Sequence, residues 1–237
     1  MTKVALITGA AKGIGRGIAL ALAEDGFDVA IHFRSSVTEA EEAAAAARLF
    51  DVRAITLHAD LGDQRQAENV VLETAKQLGG LDVLVNVVGN YHRAPIESFP
   101  VDQWHDMFNT NLHSTFYTCQ AAFPWLRKST AGRIINFGFA GAQHQVVSMH
   151  TTAYSIAKAG IVTLTKAIAE QEASNGITAN VIAPGVIDTS ISQPIDQIPM
   201  GRLGTISDIV SAVRYFVSPE ASYVTGQCLE VAGGWKL

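Results

Sequence analysis

Short apolar runs alternate with longer amphipathic stretches from one end of the chain to the other. The runs Lys3–Thr8, Asp28–Phe33, Val52–His58, Asp82–Asn86, Arg133–Phe137, Thr178–Ile182 and Cys228–Val231 have strand length and predict strands. Between them, helical spacing predicts helices near Ile14–Glu24, Thr38–Leu49, Gln64–Leu78, Gln103–Arg127, Thr152–Ser174 and Ser207–Val217. The first runs are continuously apolar rather than alternating, which suits parallel strands covered on both faces. Regular alternation of strand and helix implies right-handed crossovers and a doubly wound parallel α/β sheet with helices on both faces.

Local punctuation agrees. Gly79-Gly80 divides the third helix from the fourth strand, Gly132 precedes the fifth strand, and Asn175-Gly176 closes the long helix ending near Ser174. The alanine run Ala43–Ala47 reads as a strong helix former lying on the sheet rather than as low-complexity sequence. With no linker, repeat or break in composition, residues 1–237 are expected to form one domain.

The bulk numbers narrow the function classes. An apolar fraction of 48% supports a large core, and a charged fraction of 16% argues against disorder. The net charge of −5 gives no field for nucleic acid or an anionic membrane, so any phosphate must be held by local features. Cys119 and Cys228 are read as buried, reduced thiols. No run approaches the roughly 18 apolar residues of a membrane span, and the opening Val4–Ile7 run is too short for a signal segment. A soluble protein of a reducing compartment, the cytoplasm, is expected. The histidines show no H-E-x-x-H or similar spacing; they are read as loop and surface residues, and no metal is expected.

The segment Thr8-Gly9-Ala10-Ala11-Lys12-Gly13-Ile14-Gly15 follows the first strand and opens the first helix. Glycines there permit a tight turn, and the helix N-terminus offers amide N–H groups to a diphosphate. The second strand ends Ile31-His32-Phe33-Arg34-Ser35-Ser36, without the carboxylate that would accept from a ribose 2′-hydroxyl. Arg34, Ser35 and Lys12 can instead serve a 2′-phosphate, so NADP(H) is the favoured cofactor. The plainer alternative is that Arg34 and Lys12 are solvated loop cations.

Tyr154-Ser155-Ile156-Ala157-Lys158 places a phenol and an ammonium on one face of the long helix. A lysine charge about 5 Å from the phenol, at an effective dielectric of ~20, contributes roughly 3 kcal/mol, or about two pKa units of lowering. Such pairs also occur on ordinary helix surfaces, so the spacing alone assigns nothing.

Together these segments resemble the short-chain dehydrogenase/reductase family over nearly the whole chain. The resemblance rests on the Thr8–Gly15 loop, Asp60, Asn86 with Gly89, Asn111, the Tyr154/Lys158 motif, Pro184–Thr189, and the ending Thr225-Gly226-Gln227 with Gly233-Gly234, all in family order. It implies a single Rossmann-fold domain with a seven-stranded sheet. It implies diphosphate contacts at Gly9, Gly13, Ile14 and Gly15, and adenosine-side contacts at Lys12, Arg34, Ser35, Asp60 and Leu61. Asn86 and Gly89 would flank the ribose, and Pro184, Gly185, Ile187 and Thr189 would fix the carboxamide. Tyr154 would protonate the carbonyl oxygen, Lys158 would hold the ribose hydroxyls, and Asn111 would support a proton relay. Membership also implies a homo-oligomer, a dimer or tetramer, built on the helices at Gln103–Arg127 and Thr152–Ser174.

The sequence departs from the family at one chemically important place. Phe139 stands where a serine normally holds the substrate oxygen, and Val87-Val88 replaces the usual Asn-Ala. Phenylalanine donates no hydrogen bond. Three outcomes stay open: a substitute among Gln143, His144 and Ser148; Tyr154 acting alone; or nucleotide binding without efficient turnover, as in a sensor or partner subunit. The cofactor loop and Gly201-Arg202-Leu203-Gly204 with Asp208-Ile209 look most like 3-oxoacyl-(acyl-carrier-protein) reductases. The expected substrate is therefore a 3-oxoacyl thioester or similar β-carbonyl, with a sugar, polyol or xenobiotic carbonyl as the competing class.

Overall fold

A computed structural model describes residues 2–144, 146, 149–190 and 192–236. The chain runs β1 (Val4–Thr8), α1 (Gly13–Glu24), β2 (Asp28–Phe33), α2 (Val37–Arg48), β3 (Ala54–His58), α3 (Gln64–Leu78) and β4 (Val83–Asn86). It continues α4 (Val101–Phe108), α5 (Ser114–Leu126), β5 (Arg133–Phe137), α6 (Thr152–Glu172), β6 (Thr178–Pro184), α7 (Ile206–Val217) and β7 (Cys228–Val231). All seven strands form one parallel sheet in the order β3-β2-β1-β4-β5-β6-β7. The order reverses between β1 and β4, and the crevice at the carboxyl ends of those strands is where such sheets bind ligands.

Alternate residues of the strands feed two cores. Ala5, Ile7, Val29, Ile31, Val83 and Val85 pack against α1, α2 and α7. Val4, Leu6, Leu84, Ile134 and Ala179 pack against α3, α5 and α6 on the other face. The alanine run lies on the sheet as expected, with Ala40, Ala43, Ala44 and Ala47 fully buried. Gly176 takes the left-handed cap predicted for it, at φ +74°, and Gly79 caps α3 in the same way at φ +89°. The Gly201–Ile209 motif also acquires a local cause. Thr205 and Asp208 form a capping box at the start of α7, and Arg202 grips Asp208 at 2.8 Å. That guanidinium holds the Asp208 carboxyl well below the usual range.

The helix predicted over Gln103–Arg127 starts at Val101 and is interrupted by a wide π-type turn at Asn109–His113. Polar side chains fill the disturbed ladder: Thr110 Oγ1 donates to the Asp106 carbonyl, Asn111 Nδ2 to Met107, and Thr115 Oγ1 to Asn111. Hydrophobic periodicity does not register one extra residue in a single turn, and such bulges gather at functional sites.

A closed polar network lies beneath β4 and β5. Asn86 Nδ2 donates to Asn136 Oδ1 at 2.9 Å, Thr118 Oγ1 donates to Asn86 Oδ1 at 2.8 Å, and Asn136 Nδ2 donates to Thr165 Oγ1 at 2.9 Å. It ties two strands to α5 and α6. Asn136→Ala strands a buried donor on Asn86 and opens a small void, so urea unfolding should show a loss of about 3 kcal/mol.

Candidate active site

Thr8 ends β1 and its Oγ1 accepts from the amides of Val87 and Val88, at 2.9 and 3.2 Å. This clip holds the loop after β4 against the glycine loop. The chain then turns through Gly9 at φ +65° and Gly13 at φ +54°. A Cβ on Gly15 would lie 2.3 Å from the Gly9 carbonyl oxygen, so only glycine lets α1 start this close to the loop. Lys12 caps α1 without a side-chain bond, and the first turn carries no acidic residue. Its leading amides are therefore available to an anion, as a diphosphate site needs.

His32 braces this loop from below. The Gly9 amide donates to Nδ1 at 3.1 Å, and Nε2 contacts the Ala59 carbonyl at 3.1 Å. Since an amide can only donate, the ring is neutral with its proton on Nε2. Burial pulls its pKa down to about 4. The expectation that the histidines lie on loops and surface fails here, because His32 is an inward residue of β2.

Beyond the loop, Arg34, Ser35, Asp60, Leu61, Gly89 and Thr110 line a cleft of about 290 Å³. Both candidate phosphate cations have carboxylate neighbours: Lys12 pairs with Glu39 at 2.7 Å, and Arg34 lies 3.9 Å from Asp60. These pairs are solvent-exposed and weak, so a phosphate can displace them. Asp60 also accepts from the Gly62 amide through Oδ1 at 2.9 Å. Asn86 sits differently from its expected role. Its side chain is spent on Asn136, Cys119 and Thr118, and the cleft wall passes to Val87, Val88 and Gly89.

At the cleft floor three elements converge. A Cβ on Gly89 would meet Asn111 Oδ1 at 2.2 Å and Lys158 Nζ at 3.4 Å, so the loop backbone lies directly over both. Asn111 Nδ2 donates to the Asn90 and Met107 carbonyls, while its Oδ1 is buried with no partner. Lys158, also buried, donates from Nζ to the Phe137 carbonyl at 2.8 Å. Burial lowers its pKa to about 8.

Tyr154 is partly buried between two rings. Tyr91 meets it edge-on at 4.9 Å, and Phe139 is tilted against it at 5.5 Å. The Lys158 ammonium is 5.7 Å from its ring centroid. The lowering of the phenol pKa expected from Lys158 is not what the site produces. Burial first, and Tyr91 second, push it upward. Desolvation outweighs the lysine, whose ammonium is directed to the Phe137 carbonyl.

On the far wall, Pro184 ends β6 and leads into Gly185, Ile187 and Thr189. The Ile187 amide, an expected carboxamide contact, donates to Ser190 Oγ at 3.0 Å. Thr189 is exposed. Of the groups considered as replacements for the missing serine, Gln143 and His144 are exposed and contact each other, and Ser148 lies outside the described residues. Both cysteines are free; Cys119 is buried, but Cys228 is only half buried, against expectation. His32, Tyr91 and the Phe137 carbonyl were not visible as site groups in the sequence. The only hint was a histidine inside an otherwise apolar strand run.

A family profile described as enoyl-(acyl carrier protein) reductase matches residues 9–236. The 3-oxoacyl-(acyl-carrier-protein) reductase of Staphylococcus aureus is 36% identical over 244 aligned positions, covering 99% of this chain and 98% of the relative. Acetoin dehydrogenase from Salmonella typhimurium superposes with a TM-score of 0.91 at 36% identity, covering 99% of this chain and 96% of that one. A short-chain dehydrogenase from Burkholderia cenocepacia, solved in complex with NADP, superposes with a TM-score of 0.93 at 31% identity, covering 98% and 97%.

The neutral His32 yields a prediction. Its folded pKa lies below the unfolded value, so its contribution is full above about pH 6.5 and is lost as pH falls toward 4. Urea titrations should show this side chain costing roughly 3 kcal/mol of stability across that window. In His32→Phe, stability should be lower at pH 7 and should fall less steeply between pH 6.5 and 4.

Proposed function

The chain belongs to the short-chain dehydrogenase/reductase family, and on that footing we propose that it uses NADPH to reduce a 3-oxoacyl thioester or a similar β-carbonyl compound. The observation that carries the reading is Lys158, buried beneath Gly89 and fixed to Phe137, with Tyr154 one helical turn away on the same helix. Asn111 Oδ1 supports it, as a buried acceptor left without a protein partner beside the same lysine.

The nicotinamide, when bound, supplies the hydride that goes to the carbonyl carbon. Gly9, Gly13, Ile14, Gly15 and the start of α1 hold the diphosphate. Arg34, Ser35 and Lys12 hold the 2′-phosphate, with Asp60 and Leu61 against the adenine. Arg34 stands at the end of β2, where a carboxylate would repel that phosphate. Gly89 and the backbone at Asn86 border the ribose; Pro184, Gly185, Ile187 and Thr189 take the carboxamide side. The Ile187 amide must release Ser190 to do so.

Tyr154 holds the transferable proton on its phenolic oxygen. A phenol is protonated at neutral pH with or without burial; burial makes Tyr154 a weaker acid, so the proton leaves only as the Lys158 charge and the substrate oxygen compensate. Lys158 lies close enough to stabilise the phenolate left behind, and Asn111 leads the returning proton toward it. Phe139 offers no hydrogen bond to the substrate oxygen, so Tyr154 must orient and protonate it without that help. This residue also favours one second reading, a protein that binds NADP with little turnover. The fold's usual oligomer would use α5 and α6, which expose Phe116 and Ile156; gel filtration should show a species larger than the monomer.

NADPH oxidation should be followed with acetoacetyl thioester and a panel of ketones. Tyr154→Phe should lower kcat by about 10²–10⁴-fold with little change in NADPH affinity. Equal background rates in both proteins, with NADPH still bound tightly, would instead establish the binding-only reading. A pH profile supplies an independent check. The Lys158 charge is present below its pKa of about 8 and lost above it, so reductive kcat/KM should decline as pH rises through 8.

A further inference from the structure

After β7 the chain turns back toward Phe139, whose ring lies against Tyr154. Gly233 and Gly234 reverse it at φ +61° and +86°. A Cβ on Gly233 would come within 3.0 Å of the Ile198 side chain, and one on Gly234 within 3.0 Å of Pro199. The Met200 amide donates to the Gly233 carbonyl at 3.1 Å, and the Trp235 amide to Ala232 at 3.0 Å. This turn is therefore seated on the segment that follows Thr189. Lys236 itself adopts φ +58°, a conformation rare for a residue with a side chain, and rare conformations of this kind gather at ligand sites.

The Lys236 ammonium lies 4.3 Å from the centroid of the Trp235 ring and 5.7 Å from that of Phe139. Phe139 is the residue at the place of the missing hydroxyl, and its ring also lies against the Tyr154 ring at 5.5 Å. Lysine and tyrosine thus share one aromatic ring between them. Among the described residues, Lys236 makes no ion pair within 4.0 Å and no hydrogen bond. Lys12, Arg34 and Arg202 all have carboxylate neighbours. Glu230, on the adjoining strand, spends Oε1 on the Gly141 amide at 2.9 Å instead. Half-buried against two rings, the ammonium is partly stripped of water, and burial moves its pKa downward.

We propose that Lys236 is the anion-recognising residue of the substrate pocket, and that the preferred substrate is a carbonyl compound bearing a carboxylate near the ketone, as in a short 3-oxo acid. The proposal rests on the reading of Tyr154 as proton donor and, within the β-carbonyl class, selects the free 3-oxo acid over the uncharged thioester. The carboxylate docks on Lys236, the ketone oxygen faces Tyr154, and the connecting carbons lie on Phe139. A charge-assisted bond from a partly dehydrated ammonium is strong and directional. Anchoring the far end of a short substrate in this way fixes the carbonyl without a hydroxyl beside it. Phe139 then becomes intelligible as the apolar floor between two anchors.

Acetoacetate and its ethyl ester, which differ at the relevant end by the charge and one ethyl group, should be compared in NADPH oxidation by the full chain. The wild type should favour the acid in kcat/KM by at least about 10-fold. Lys236→Met should reduce the acid-to-ester ratio by about 10–100-fold, chiefly through KM. Lys236→Arg should retain most of it, and added salt should erode it in the wild type. Equal use of acid and ester by the wild type, or a ratio unmoved in Lys236→Met with an unchanged thermal midpoint, would overturn the proposal while leaving Tyr154 as donor. Calorimetric titration of acetoacetate into the protein–NADP complex tests recognition without turnover. Binding lost in Lys236→Met supports it even if no ketone is reduced, and absence of binding to the wild type refutes it.

Discussion

The hydrogen bond from Lys158 Nζ to the Phe137 carbonyl organises the centre of this molecule. It joins α6 to the last residue of β5 at 2.8 Å, at the end of the sheet where the strand order has just reversed. An ammonium buried this deeply is costly unless it is held, and here a backbone acceptor fixes its position as well as its charge. Because Tyr154 is one turn earlier on the same helix, fixing Lys158 also fixes the phenol. Gly89 completes the arrangement, since any side chain there would drive into Asn111 and crowd the lysine.

The network beneath the site serves the same end. Asn86, Asn136, Thr118 and Thr165 satisfy one another in the core and lock β4, β5, α5 and α6 in register. Buried polar groups so fully paired specify one arrangement where an apolar contact would permit sliding. Above them, Thr8 and His32 secure the glycine loop to the neighbouring loops through side-chain bonds to backbone amides. The cleft is thus largely preformed, with exposed ion pairs at Lys12 and Arg34 as its adaptable part.

Burial moves the two central titrating groups in opposite directions, raising Tyr154 and lowering Lys158. Both shifts favour the neutral form, as desolvation must. The simple picture of a lysine depressing a tyrosine pKa took account of charge and neglected dehydration. In the folded protein dehydration is the larger effect.

The strands, most helices, the glycine loop and the Tyr154/Lys158 pair were legible in the chain because each is a local pattern. Apolar runs, caps and the spacing of four between Tyr154 and Lys158 depend only on near neighbours in sequence. The π-type turn at Asn109–His113 was not legible, since one extra residue leaves the apolar period almost unchanged. Asn86 looked like a cleft residue until Asn136, fifty positions away, claimed its side chain. His32, Tyr91 and Lys236 carried no signal as site groups, because their significance lies in partners brought together only by the fold. Local sequence determined which segments meet at the cleft. Long-range packing, which decides burial and pairing, set the charge state of each group there and placed a lysine from the far end of the chain beside Phe139.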